Sequence, residues 1–180
     1  MISELQSVRE QNLREIAHPI THEEAMATAS FAEPFKLFEI WRKLPGDIPH
    51  YSHVKPTLFR PSLLPSMYIL DVLPADDDEN ETGDVDFRFR LFGTANRDNY
   101  GKEATGNRLS QSAREGADQG VASGFGLTQQ AYHKRVAQFL MCEYYKNQTI
   151  IKTVSFVVLP LSDDQGNIVR MFGCGIWMTP

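Results

Sequence analysis

Phe87-Arg88-Phe89-Arg90-Leu91-Phe92-Gly93-Thr94-Ala95-Asn96-Arg97-Asp98-Asn99-Tyr100-Gly101-Lys102-Glu103-Ala104-Thr105-Gly106 changes periodicity twice. Phe87, Phe89 and Leu91 alternate with Arg88, Arg90 and Phe92, the two-residue period of a strand. Gly93-Thr94 interrupts that period, and Thr94 is expected to cap a helix of one or two turns reaching Tyr100. Gly101 and Gly106 then punctuate the chain and are expected to take positive φ. A strand that gives way at once to helical cover requires flanking elements that complete a sheet.

Upstream, Met67 to Leu73 is expected as a strand and hairpin partner of Asp86 to Phe92, across a polar loop from Pro74 to Val85. Downstream, Leu109 to Val136 has helical character weakened by Gly116, Gly120, Gly124 and Gly126, so two or three short helices are expected. Phe139 to Lys146, Ile150 to Leu161 and Ile168 to Met178 follow as strands, the last two joined by a turn over Ser162 to Asn167. Two strands, a helical segment and three strands argue an α+β fold on an antiparallel sheet. The first 45 residues are expected to be helical. Ile2, Leu5, Val8, Leu13 and Ile16 sit near a helical period, and His18-Pro19 ends it. Thr21-His22-Glu23-Glu24 is a capping-box pattern opening a short helix over Ala25 to Ala29. Pro34 suits the first turn of a third helix, with Phe35, Leu37, Phe38, Ile40, Trp41 and Leu44 on its apolar face and Pro45-Gly46 as its stop. Residues 46–65 read as a proline-rich loop with one helical turn near Pro56 to Leu64.

The 180 residues suit one domain plus an extension. A net charge of −5 is concentrated in Asp76 to Asp86, which holds seven acidic and no basic residues, so the charge says little about partners. No basic stripe interleaved with aromatics is present, and nucleic-acid binding is not expected. The most apolar run, Val154 to Leu161, is too short to span a membrane. Glu4, Arg9 and Glu10 come with no apolar h-region, so a signal peptide is not expected and the expected location is cytoplasmic. Cys142 and Cys174 form no framework and are expected as buried free thiols.

The last two strands are apolar on both faces. Val157, Leu159 and Leu161 oppose Val154, Phe156 and Val158, and Phe172, Cys174 and Ile176 oppose Met171 and Trp177. Both faces must therefore be covered. The helices after the second strand cover one, and the N-terminal helices or a second subunit cover the other, burial being worth roughly 25 cal/mol per Å² of apolar area. A homodimer through the N-terminal helices and the convex sheet face is expected. Gly173 and Gly175 share one face beside Met171, either to admit close packing or to leave a hollow for a ligand.

These elements together resemble a family of short bacterial proteins built around a single PAS-like sensor domain. The residues that carry the resemblance are Trp41-Arg42-Lys43-Leu44, then Pro56, Leu63-Leu64-Pro65 and Leu70-Asp71-Val72. Phe87 to Thr94, Gly101 and Thr105-Gly106 follow, then Leu159-Pro160-Leu161-Ser162 and the closing strand. The match runs from Phe35 to Met178, with residues 113–135 outside it. The resemblance implies a five-stranded antiparallel sheet with helices on one face, here preceded by an N-terminal helical extension over residues 1–45 and followed through 46–180 by the PAS-like domain. It further implies a sensory or regulatory module without catalysis that binds a small molecule or a protein partner. Haem and flavin are not expected, although His133 lies where some haem-binding relatives place an axial ligand. No kinase, cyclase or helix-turn-helix segment fits, so output is expected through a signalling partner or a change of oligomeric state.

Candidate ligand contacts on the second strand are Phe89, Arg88 and Arg90, the two arginines as an anion clamp or as ion pairs with the acidic loop. In the helical segment they are Tyr100, Phe125 and His133, and on the last strand Met171, Gly173 and Gly175. No metal site is expected: His18/His22 and His50/His53 lack a third ligand, and Asp76-x-Asp78-x-Asn80 has Glu81 where a calcium loop needs glycine and Phe87 where it needs glutamate. Two other functions compete. A cone-shaped α+β enzyme of isomerase or dehydratase type would need an acid in an apolar pocket, Asp71 or Glu143 beside His133 or a tyrosine. A pure protein-interaction domain would use the apolar convex face.

Overall fold

Thr21 and Glu24 cap each other as their spacing dictates. The Glu24 backbone N–H donates to the Thr21 hydroxyl, the Thr21 N–H donates to the Glu24 carboxylate, and helix α1 (His22–Ala27) begins there. A 3₁₀ turn over Ala29–Phe31 leads into α2 (Ala32–Arg42), with Pro34 in its first turn. The computed structural model describes residues 7–11, 13–115 and 119–180. The proline-rich segment after α2 folds into three 3₁₀ turns, at Tyr51–His53, Pro56–Leu58 and Pro61–Ser66, where one was expected. Among the described residues no helix is long and apolar enough to cross a membrane.

The sheet contains β1 (Arg14–Ile20), β2 (Met67–Leu73), β3 (Asp86–Phe92), β4 (Gln138–Lys146), β5 (Thr149–Ser162) and β6 (Ile168–Met178). Their spatial order is β1-β4-β5-β6-β2-β3, and every pairing is antiparallel. The fold is therefore α+β with six strands rather than five. The extra strand is β1, in a segment expected to be helical through Ile16; residues 2–6 of that expected helix lie outside the described residues. Pro19 is tolerated because β1 is an edge strand, where a missing N–H costs no ladder bond on the open side. Leu13 and Glu15 turn inward and the exposed Arg14 turns outward, a two-residue alternation that the sparse apolar residues of 2–16 had masked.

Helices lie on both faces of the sheet, where the resemblance implied one. On the first face α2 seats fully buried Leu37, and Trp41 Nε1 donates to the Pro160 carbonyl at 2.8 Å. Phe35 and Phe38 surround Phe139 of β4 at ring separations of 6.3 and 5.7 Å. Of the two covers expected for this face, the N-terminal helices or a second subunit, the chain supplies the first with its own α2, and burial of that face demands no dimer. The second face carries α3 (Thr94–Tyr100), α4 (Leu109–Glu115) and α5 (Gln119–Lys134). The expected segment divides into two helices, and the second, α5, runs 16 residues through three of the glycines expected to weaken it. Buried Leu127 and Ala131 pack it onto the sheet, and that burial outweighs the glycine penalty.

At the head of α3 the cap is Gly93, not Thr94. A Cβ on Gly93 would lie 2.7 Å from the Met67 carbonyl oxygen, so glycine lets β2 and the turn pack together. Gly101 and Gly106 do take positive φ, +94° and +87°. Buried Asp86 organises the start of α4, accepting from the backbone N–H and hydroxyl of Ser110.

Candidate functional site

Strand parity builds a cavity of about 120 Å³ between the second sheet face and its helical cover. Alternation along β4 turns Leu140, Cys142 and Tyr144 toward α5, and on β5 it turns Phe156 and Val158 the same way. Tyr68 and Leu70 of β2 extend the floor, Leu109, Gly124 and Leu127 form the roof, and Phe89, Phe92 and Tyr100 close the side. The lining is mostly apolar, with Ser112 and Thr128 in the helical roof and an acid at the β1 end. There Glu15, buried at 5% exposure, sits opposite Tyr144 in the β1–β4 register.

The Tyr144 hydroxyl donates to Glu15 Oε1 at 3.0 Å. Burial first, and then the charge of Glu15, holds the Tyr144 phenol well above its ordinary range. The Cys142 thiol is pushed up in the same way, by burial and then by Glu15, to which it is also hydrogen-bonded. Trp177 stacks on Tyr144 with ring centroids 5.6 Å apart, and its indole N–H donates to Asn96 Oδ1 at 3.0 Å. Asn96 is itself fully buried and donates to the Ser66 carbonyl, so the tyrosine is positioned by a chain of contacts reaching the 3₁₀ turn that precedes β2. Lys152 faces Tyr144 across β5 and directs its Nζ to Asn99 Oδ1 at 3.2 Å; desolvation lowers its pKa.

Of the residues expected at a site, the structure brings Phe89 and Tyr100 into the cavity. Arg88 and Arg90 point to the opposite face, paired with Glu79 and Asp71 respectively. Arg88 pairs with the acidic loop and Arg90 with β2, and neither lines the cavity, whereas Phe92 joins Phe89 there because the β2–β3 register shifts between Ile69 and Leu70. Phe125 packs edge-on against Phe87 with ring centroids 6.4 Å apart. His133 is exposed at the end of α5 and contacts Asp84 at 3.0 Å. Met171 is fully buried in the core. The space left by Gly173 and Gly175 is filled by the chain itself. A Cβ at Gly173 would lie 2.7 Å from the Tyr68 hydroxyl oxygen, which crosses β6 to donate to the Val157 carbonyl at 2.6 Å. At Gly175 it would run into the Phe156 ring and Asn96. The glycines thus seat two aromatic side chains of the cavity floor and do not form the cavity.

The acids considered for catalysis are also elsewhere. Asp71 accepts from Arg90 and Arg170, and Glu143 from His18 and Tyr145, all on the face away from the cavity. The acidic residue in the cavity is Glu15. Sequence reasoning missed it because its segment was read as a helix. The parity of Leu140, Cys142 and Tyr144 was legible and would have placed the thiol and phenol on one face. Among the described residues no group of three or more His, Cys, Asp or Glu side chains is arranged to hold a metal ion. Both cysteines are buried and free.

Comparisons with family models, curated proteins and solved structures found no match.

Proposed function

We propose that the protein is a PAS-like sensory or regulatory module whose signal is a small, largely apolar molecule taken into this cavity. The observation that carries the reading is the cavity itself: mostly apolar walls between sheet and helices, with a few polar groups among them, Glu15, Tyr144, Ser112 and Thr128. Binding sites for small molecules have this composition, a hydrophobic enclosure with a few placed polar groups that fix orientation. Strand order supports the same reading. Without β1 the sheet runs β3-β2-β6-β5-β4, five antiparallel strands with the helices between β3 and β4 over one face, in keeping with the strand number and one-sided cover that the resemblance implies. A volume of about 120 Å³ suits one ring or a short branched chain, since an engineered apolar cavity of about 150 Å³ holds benzene.

Native mass spectrometry of freshly purified protein, paired with a thermal-shift screen of one-ring compounds, tests this. A retained or added ligand is expected, and its loss in Gly124→Leu, whose side chain enters the cavity, assigns it to this site. Binding that survives Gly124→Leu unchanged would sink the assignment. The same spectrum reports whether the chain is the homodimer expected through its N-terminal helices.

One observation favours a second reading, a small isomerase or dehydratase: a buried carboxylate, Glu15, hydrogen-bonded to a phenol inside an apolar cavity. That reading requires a bound compound to be returned chemically altered, which NMR of the recovered ligand decides.

A further inference from the structure

We infer that the cavity takes an uncharged one-ring compound with a hydroxyl group, a phenol, its hydroxyl at the helical roof on Thr128 and Ser112 and its ring among the aromatic side chains below. The inference rests on the proposal that the cavity binds a small molecule, and it names the class. Its first ground is that neither sign of charge finds a partner. Among the described residues no lysine, arginine or histidine lines the cavity, so a carboxylate or phosphate would be desolvated with no cation to pair with. An ammonium group would have to take Glu15 from the Tyr144 hydroxyl and the Cys142 thiol, both already bonded to it.

The second ground is where hydrogen-bonding capacity is left. On the sheet side the Tyr68 hydroxyl donates to the Val157 carbonyl and the Tyr144 hydroxyl to Glu15. Their oxygens are poor acceptors, because a phenolic lone pair is drawn into its ring. On the roof, Thr128 of α5 is 2% exposed and lines the cavity, and its Oγ1 donates to the Gly124 carbonyl one turn earlier at 2.7 Å. With its proton fixed there, the Thr128 oxygen has only lone pairs to offer, and it calls for a donor. Ser112 of α4 brings a second hydroxyl to the same roof, one whose rotor can give a proton or accept one. A ligand hydroxyl, which donates once and accepts as well, matches this pair. The third ground is the wall below. Phe89 and Phe92 meet edge-to-face at 5.1 Å, as Tyr68 and Phe156 do at 6.2 Å, and a flat ring among them extends the same arrangement.

Phenol and toluene, which differ by a hydroxyl against a methyl group, test the class by calorimetric titration into the full chain near neutral pH. Phenol is expected to bind as tightly as toluene or no more than about tenfold weaker. A hydroxyl that finds partners costs little to desolvate, whereas one without them would lose about a hundredfold or more. Benzoate and benzylamine, the charged counterparts, should both bind more weakly than phenol. Thr128→Val keeps the shape of the side chain and removes the acceptor, so it should weaken phenol about tenfold and leave toluene binding unchanged. Ser112→Ala reads the second hydroxyl in the same way and serves if the Thr128 variant does not fold. Three results overturn the phenol assignment and leave the cavity reading standing: phenol more than about tenfold weaker than toluene, a charged probe tighter than phenol, or a phenol-to-toluene ratio that neither substitution changes. Silence from all four probes overturns both.

Discussion

An alanine at Gly101 would place a Cβ at φ +94°, and that Cβ would sit 2.6 Å from the Cβ of Ser7. Both terms are unfavourable, since left-handed backbone costs an L-residue roughly 1 kcal/mol and the Ser7 segment must shift as well. Gly101→Ala is expected to destabilise by about 1–3 kcal/mol in chemical denaturation. The same substitution at Gly126 should act in the opposite sense. Gly126 lies inside α5 with nothing within 4 Å of its would-be Cβ, so alanine gains helix propensity of about 0.5–1 kcal/mol. A melting temperature that falls in Gly126→Ala would mean that this helix is not formed as described. Tyr68→Phe keeps the ring over Gly173 but removes a buried hydrogen bond, the one its hydroxyl donates to the Val157 carbonyl. A loss of about 1–3 kcal/mol is expected, readable as a shift in denaturation midpoint without change in slope.

At the scale of elements, local chemistry was legible wherever it set a boundary. The bounds of β2, β3 and β6 follow directly from turn residues and two-residue alternation, and the α1 capping box from Thr21 and Glu24. Thr21→Ala should remove one side of that box and cost about 1 kcal/mol, while Thr21→Ser should restore most of it. Equal stability of the two variants would show that α1 is held by Ala25 packing alone. Two elements were not legible. The length of α5 is decided by Leu127 and Ala131 seating on the sheet, a tertiary contact that overrides glycine content. The strand at Arg14–Ile20 exists because β4 offers it an edge, and an edge strand with an inward glutamate and a proline carries little β signal of its own.

For the whole molecule, the unforeseen β1 explains why the site was only partly visible in the sequence. Phe89 and Tyr100 came from the stretch that shapes the helical cover, but the acid facing them comes from the first strand, some 70 residues earlier in the chain. Long-range pairing of this kind leaves no local pattern. It does leave a titration signature. Tyr68 and Tyr144 are pushed well above their ordinary pKa of 10.0, and Cys142 and Cys174 above 9.0, in each case chiefly by burial. A folded-state pKa raised above the unfolded value gives stability that is fully present below the unfolded pKa and is lost as pH rises through the folded one. The unfolded chain therefore releases these four protons first, and stability should decline from about pH 9 upward. Denaturant midpoints measured between about pH 7 and about pH 11 should fall over the upper half of that range. Tyr144→Phe should flatten the decline, because it removes one of the four protons. Tyrosinate absorbance should rise in two stages, exposed tyrosines first and the buried pair only with unfolding. If all six tyrosines titrate together in folded protein, water reaches Tyr68 and Tyr144 freely, and the buried cavity lining on which ligand binding depends does not exist in solution.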